Sequence, residues 1–248
     1  MNYGLQLYSV RDITETDFDG ALRQVSEMGY TMVEPAGFFG NAAQDVAKML
    51  KKYNLKCCST HTSIKEISKD IQSVIEYHKA IDCADIIIPS AHFKTKEELD
   101  LTIETINSAL PIIQAAGMRL HYHNHSKEFF KNIDGQIPFD EIAKRTDILF
   151  EIDTFWAFNA GLDPVELMEK YKDRISFIHL KDGIPQDLND PDSRPEGRSV
   201  GSGNAPVKAV RTKAIELGIT MVIESEDLSP SGPEEVKRCI DFLKSIES

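Results

Sequence analysis

The sequence predicts an α/β fold, a (βα)8 TIM barrel built as a single domain over residues 1–248, and three observations point there. Short apolar or alternating runs recur eight times along the chain. Segments with helical spacing lie between them. The phrases MGY, AGM and LGI each put a glycine after such a segment and just before the next run, the pattern of a helix C-cap leading into a strand. A chain of 248 residues suits one such barrel. A doubly wound sheet would more often carry fewer strands and a phosphate-binding glycine fingerprint after the first one.

The strand candidates, in order, are YGLQLY (3–8), MVE (32–34), LKCCST (55–60), DIIIPS (85–90), MRLHYH (118–123), ILFEID (148–153), ISFIHL (175–180) and ITMVIE (219–224). Helical spacing marks FDGALRQVSEMG, AAQDVAKMLKKY, KEELDLTIETINSALPIIQAAG, DPVELMEKYK and PEEVKRCIDFLKSIE between and after them. One connection is long: residues 183–203, GIPQDLNDPDSRPEGRSVGSG, follow the seventh strand. A segment of that length and composition reads as a functional lid or a mobile loop.

Composition narrows the function classes. Hydrophobic residues at 41% and charged residues at 27% are the balance of a soluble globular chain. The formal net charge of −12 opposes a phosphate-tracking surface, so no nucleic-acid partner is expected. No signal peptide or run long enough to span a bilayer is visible, so the expectation is a cytoplasmic protein without a membrane partner. Cys57, Cys58, Cys83 and Cys239 form no CxxC pair and read as reduced thiols. A homo-oligomer is compatible with all of this.

A barrel of this kind builds its site at the C-terminal ends of its strands. Those ends carry Glu34, His61, His92, His123 and His125, Asp153, His179 and Lys181, and Glu224. Within HYHNH, residues 121–125, the three histidines share one face if the strand stays regular, but they lie about 6–7 Å apart along it and cannot share one ion. His121 falls in the packed layers of the barrel and reads as structural, while His78, in IEYHKA, reads as a surface or packed residue.

His123, Asp153, His179 and Glu224 together offer two imidazoles and two carboxylates, a donor set that suits a divalent Mn, Co or Zn ion better than Mg. Glu34, His61 and His92 are candidate substrate contacts, weighed against satisfied strand-end residues. Trp156 and Phe158 are candidate walls for a sugar ring, or core. Lys181 can contact a carbonyl or hydroxyl oxygen, or pair with Asp182. Gly201, Gly203 and Asn204 form a weak candidate anion cradle.

The phrases YHNHSKEF, EIDTFWAFNAGLDP, FIHLKDG, VGSGN and VIES, in this order, resemble the sugar phosphate isomerase and epimerase family with the xylose isomerase-like TIM barrel, over essentially the whole chain. The resemblance implies a divalent metal held by Glu, Asp, His and Glu at the ends of strands 5 to 8. Three of these transfer, onto Asp153, His179 and Glu224. The first does not: His123 opens His-Asn-His where many members have a glutamate opening Glu-Asn-His. Either His123 becomes the ligand or Glu128 reaches back.

The resemblance also implies proton transfer by two glutamates, of which only Glu224 remains; His125, Glu34 and Lys181 are candidates for the second acid/base. The expected activity is isomerisation or epimerisation of a sugar, sugar phosphate or keto-sugar by proton abstraction beside a carbonyl through a metal-stabilised enediolate. The alternative is a dehydratase or lyase on a polyol or keto-sugar, which shares that intermediate. A small carbohydrate is the expected partner in either case. A nuclease of the endonuclease IV type is disfavoured, because Trp156 stands where that family places a histidine, and a non-catalytic sugar-binding barrel is the remaining reading.

Overall fold

In the computed structural model, which describes residues 1–247, strands β1 (Gly4–Gln6), β2 (Met32–Glu34), β3 (Lys56–Cys57), β4 (Thr60–His61), β5 (Asp85–Ile88), β6 (Arg119–His123), β7 (Leu149–Asp153) and β8 (Ile175–Leu180) come from the first seven predicted runs. A short hairpin, β9 (Asp182–Ile184) and β10 (Glu196–Arg198), follows, and β11 (Thr220–Ile223) is the last barrel strand. The sheet order β3-β2-β1-β11-β8-β7-β6-β5-β4 is parallel throughout.

The two sheet ends are halves of one strand. β3 pairs with β2 through Val33 and Cys57, β4 pairs with β5 through His61 and Ile87, and the chain shifts partner at Cys58 and Ser59. A bridge between Ala36 and His61, with His61 N donating to Pro35 O at 2.9 Å, closes the TIM barrel.

The helices α1 (Arg11–Thr14), α2 (Phe18–Met28), α3 (Ala43–Lys52), α4 (Ile64–Lys69), α5 (Ile71–Ala80), α6 (Lys96–Ala115), α7 (Pro138–Arg145), α8 (Thr154–Asn159), α9 (Pro164–Lys170), α10 (Val207–Leu217) and α11 (Gly232–Ser245) surround it. Their caps follow the sequence. Asp17 accepts from Gly20 N ahead of α2, and Gly29 ends that helix at φ 99°, a conformation glycine adopts without a Cβ penalty. Gly218 ends α10 the same way at φ 68°.

Side chains alternate across each strand. Outward residues such as Ile86, Ile88, Leu120, Tyr122, Phe150, Ile152, Ile178 and Leu180 join the helices in the main core. Of the inward ones, Met32, Cys58, Phe177 and Val222 plug the barrel, and Gln6, Glu34, Glu151 and His179 are fully buried polar groups. Burying that much polarity is costly unless the groups pair with one another. The barrel spends stability on its site.

Two expectations change here. The predicted first strand, 3–8, is shorter, because Leu7–Val10 turn into a 3-10 helix. The connection over 183–203 is partly ordered as the β9–β10 hairpin, with Glu196 opposite Ile184 and Arg198 opposite Asp182. No helix among the described residues is long and apolar enough to cross a membrane.

Candidate metal centre

Asp153, His179 and Glu224 converge from the ends of β7, β8 and β11. Their ligand atoms all lie within 4.8 Å of one another, as three donors about one divalent ion would. β7 and β8 pair Asp153 with His179 directly, and His179 sits beside Val222, two residues before Glu224. His179 Nδ1 lies 3.2 Å from Glu224 Oε2 and 3.8 Å from Asp153 Oδ2. Asp153 Oδ1 caps α8 by accepting from Trp156 N at 2.7 Å, whereas its Oδ2 is buried with no hydrogen-bond partner. A buried carboxylate oxygen left open between an imidazole and a second carboxylate fits a cation.

Lys181 closes the group. Its Nζ lies 3.2 Å from Glu224 Oε2, 2.6 Å from Glu226 Oε1 and 3.9 Å from Asp153 Oδ2, and 4.6 Å from the centre of the Trp156 ring. Burial disfavours its ammonium, but Glu224, Asp153 and Glu226 together raise its pKa above the ordinary lysine value. Burial likewise opposes the charge of Glu224, and Lys181 and His179 outweigh it, holding that carboxyl well below the usual range. A lasting cation therefore faces a lasting carboxylate. Lys181 pairs with these acids and not with Asp182.

His123 stands in a neighbouring group with His61, Glu151 and His179. Its ring centre is 4.6 Å from that of His179, and its Nδ1 lies 3.2 Å from Glu151 Oε2. Burial, with His179 and His61 close by, drives its pKa well down, so it is a neutral imidazole. Glu128 does not reach back. Its Oε1 accepts from the Tyr122 hydroxyl at 3.3 Å and its Oε2 from His125 N at 2.9 Å, and burial pushes its carboxyl up to about 7.

HYHNH splits three ways. His121 is fully buried with Nε2 2.8 Å from Asp85 Oδ1, edge-on to Phe177, which is the structural role its depth implies. His123 ends β6. His125 lies past the strand, where it opens a 3-10 turn at Ser126–Phe129 with its ring 5.1 Å from His123 and 5.9 Å from Trp156; burial holds its pKa down to about 4.

A cavity of about 1110 Å³ opens over the barrel, with His61, His123, His125, Glu224, Glu226 and Phe38 in its lining. Glu34, expected as a substrate contact, is instead fully buried beneath it, with Gln6 Nε2 donating to its Oε1 at 2.7 Å and Ser59 to its Oε2. His92, also expected there, is exposed and lines a separate cavity of about 460 Å³ with Phe93 and Lys127. Trp156 walls a third space beside Lys181, and its neighbour is Phe155, not Phe158.

The anion cradle is already filled. Asp182 accepts from Gly201 N and Gly203 N at 2.9 Å and from Ala205 N at 3.0 Å, so a carboxylate of the chain itself occupies the turn, and Asn204 N goes to Gly183 O. His78 is packed, with its two ring nitrogens 2.6 Å from Thr60 Oγ1 and Val74 O.

Sequence reasoning missed Glu151, Gln6, Ser59 and Glu226. Glu151 touches His61, His123 and His179 at 3.0, 3.2 and 3.2 Å. Its signal was present, since it stands two residues before Asp153 and so on the same strand face. Glu226 stands two residues after Glu224, past the end of β11 at Ile223.

Comparison with known proteins identifies the family and the fold. An inosose dehydratase from Geobacillus kaustophilus is 26% identical over 192 residues, covering 66% of this chain and 61%, less than two thirds, of that protein. The structure of a sugar phosphate isomerase/epimerase from Parabacteroides distasonis is similar at a TM-score of 0.81 and 26% identity, over 98% of this chain and 97% of that one. An IOLI protein solved with a zinc atom shares the fold at a TM-score of 0.76 and 13% identity, over 99% and 98% of the two chains. The family model of the xylose isomerase-like TIM barrel matches residues 22–246, and with strand-end donors converging on one centre, the chain belongs to that family.

Proposed function

We propose that the protein is a metal-dependent lyase that removes water from a small cyclic keto-polyol, the class to which an inosose belongs. The observation that carries the reading is the asymmetry of the mouth, where one ammonium, Lys181, lies 3.2 Å from Glu224 and 2.6 Å from Glu226, both just past the end of β11. Epimerisation calls for two comparable bases on opposite faces of a carbon, and the strand-5 position offers the neutral imidazole of His123 instead of a second carboxylate. Elimination calls for one base and one proton donor. The similarity to inosose dehydratases supports that choice.

Asp153, His179 and Glu224 would hold the divalent ion. When bound, it supplies Lewis acidity to a substrate carbonyl oxygen. Glu224 takes the proton from the carbon beside the carbonyl. Lys181 holds the enolate oxygen by charge and hydrogen bond. His61 and His125, which line the cavity, bind the ring hydroxyls, and the hydroxyl on the next carbon leaves as water, taking a proton from Lys181 that the proton gained by Glu224 replaces. Trp156, beside Lys181, lies against an apolar ring face.

A second reading, isomerisation or epimerisation of a keto-sugar, shares the enediolate and is favoured by the likeness to the isomerase/epimerase structure. Incubation with an inosose and a divalent ion tests the two: loss of water to an enone or diketone supports the lyase, and an epimer or a positional keto isomer without loss of water overturns it.

A further inference from the structure

Beneath the candidate metal centre lies a pair of buried carboxylates, Glu34 and Glu151, that the chemistry above does not use. Both are fully buried. Three imidazoles point their nitrogens at this pair. His179 Nε2 is 2.8 Å from Glu34 Oε1 and 3.2 Å from Glu151 Oε2. His123 Nδ1 is 3.2 Å from Glu151 Oε2, and His61 Nε2 is 3.0 Å from the same oxygen and 3.3 Å from Glu34 Oε1. Gln6 and Ser59 both donate to Glu34, so its carboxylate cannot turn away from His179.

We infer that Glu34 and Glu151 are positioning residues that fix the tautomer of His179, leaving its Nδ1 unprotonated for one divalent ion. A neutral imidazole carries one N–H and one lone pair. A carboxylate acceptor at one nitrogen holds the proton there and turns the lone pair to the other. For His179 the acceptor is at Nε2, and the opposite nitrogen is the one facing Asp153 and Glu224. For His123 the acceptor is at Nδ1, so its ring is held against the same carboxylate.

The same geometry decides against a second ion in the lower group of His61, His123, Glu151 and His179. His179 Nε2 must keep its proton if Nδ1 is to bind above, so the lower group acts as a hydrogen-bonded floor. The inference rests on the metal reading of the upper group.

The test is titration of the metal-stripped full chain with Co²⁺ alone, followed by calorimetry and by the visible absorption of the bound ion. The wild type is compared with Glu34→Gln, Glu151→Gln and Glu151→Leu. The expected result is one ion per chain. Affinity falls about 10–100-fold in Glu151→Leu and by less in Glu151→Gln, which keeps an acceptor oxygen, with altered Co²⁺ absorption in both. If Glu151→Leu does not fold, the two glutamine variants carry the test. Wild-type affinity and an unchanged Co²⁺ spectrum in the folded variants would overturn the inference while leaving the metal reading intact. Two ions per wild-type chain, one of them lost on changing Glu151, would overturn it in favour of a metal in the lower group. No ion bound by the wild type would sink the functional reading, and this inference with it.

Discussion

Lys181 Nζ and Glu224 Oε2 stand 3.2 Å apart at the top of the barrel, with Glu226 Oε1 a further partner of the lysine at 2.6 Å. Lys181 is 1% exposed, so this ammonium is the main counter-charge to the carboxylates around it. Replacing it with methionine is expected to lower kcat by about 10²–10³-fold, the scale of removing one donor to a developing oxyanion. It also strands buried negative charge, costing about 3–5 kcal/mol of stability. Steady-state kinetics on a keto-polyol and thermal unfolding of the same variant check both, and Lys181→Arg, with its planar fork, is not expected to restore kcat.

Glu224→Gln separates proton abstraction from binding. With the carboxylate base gone, exchange of the substrate's α-hydrogen in D2O is expected to slow by about 10²–10⁴-fold. The change is read directly by proton NMR of the recovered substrate.

Asp182 works at a distance from the chemistry. It ties Gly201, Gly203 and Ala205 into one turn and is 2% exposed. Asp182→Ala is expected to cost about 1–3 kcal/mol for each of those N–H groups that water does not reach. Limited proteolysis of the variant is expected to cut within residues 185–200 first, and inorganic phosphate is not expected to protect the wild type there.

His78 gives the fold a pH dependence. Burial lowers its pKa, with the hydrogen bond to Val74 acting in the opposite sense. Below about pH 6.5 the unfolded chain takes up a proton at this position that the folded chain still refuses, so stability falls as pH drops. Thermal unfolding at pH 7.5 and pH 5.5 is expected to show a smaller loss in His78→Gln than in the wild type.

The barrel was legible because its signals are local. MGY and LGI mark Gly29 and Gly218, which do end helices in the left-handed conformation, and each apolar run supplies a strand. Asp153, His179 and Glu224 were legible because strand ends point to one mouth. His92 misled for the same reason: it follows β5 after Pro89, and the chain has already turned outward there. Glu34 lies in the layer beneath the cavity, a difference in depth that strand-end position alone does not reveal. Glu151 escaped notice because a carboxylate inside a strand reads as an anomaly until its three histidine partners, from β4, β6 and β8, are brought beside it. Gly201 and Gly203 looked like an anion cradle because they are one, and the anion is Asp182.

The most direct measurement is the fate of an inosose incubated with the Mn²⁺- or Co²⁺-loaded protein in D2O, followed by NMR and ultraviolet absorption. Loss of one water to give a conjugated enone or diketone, abolished by chelation and by Glu224→Gln, is the predicted result. Deuterium incorporation with an epimer or a positional keto isomer as product, and no loss of water, would contradict it.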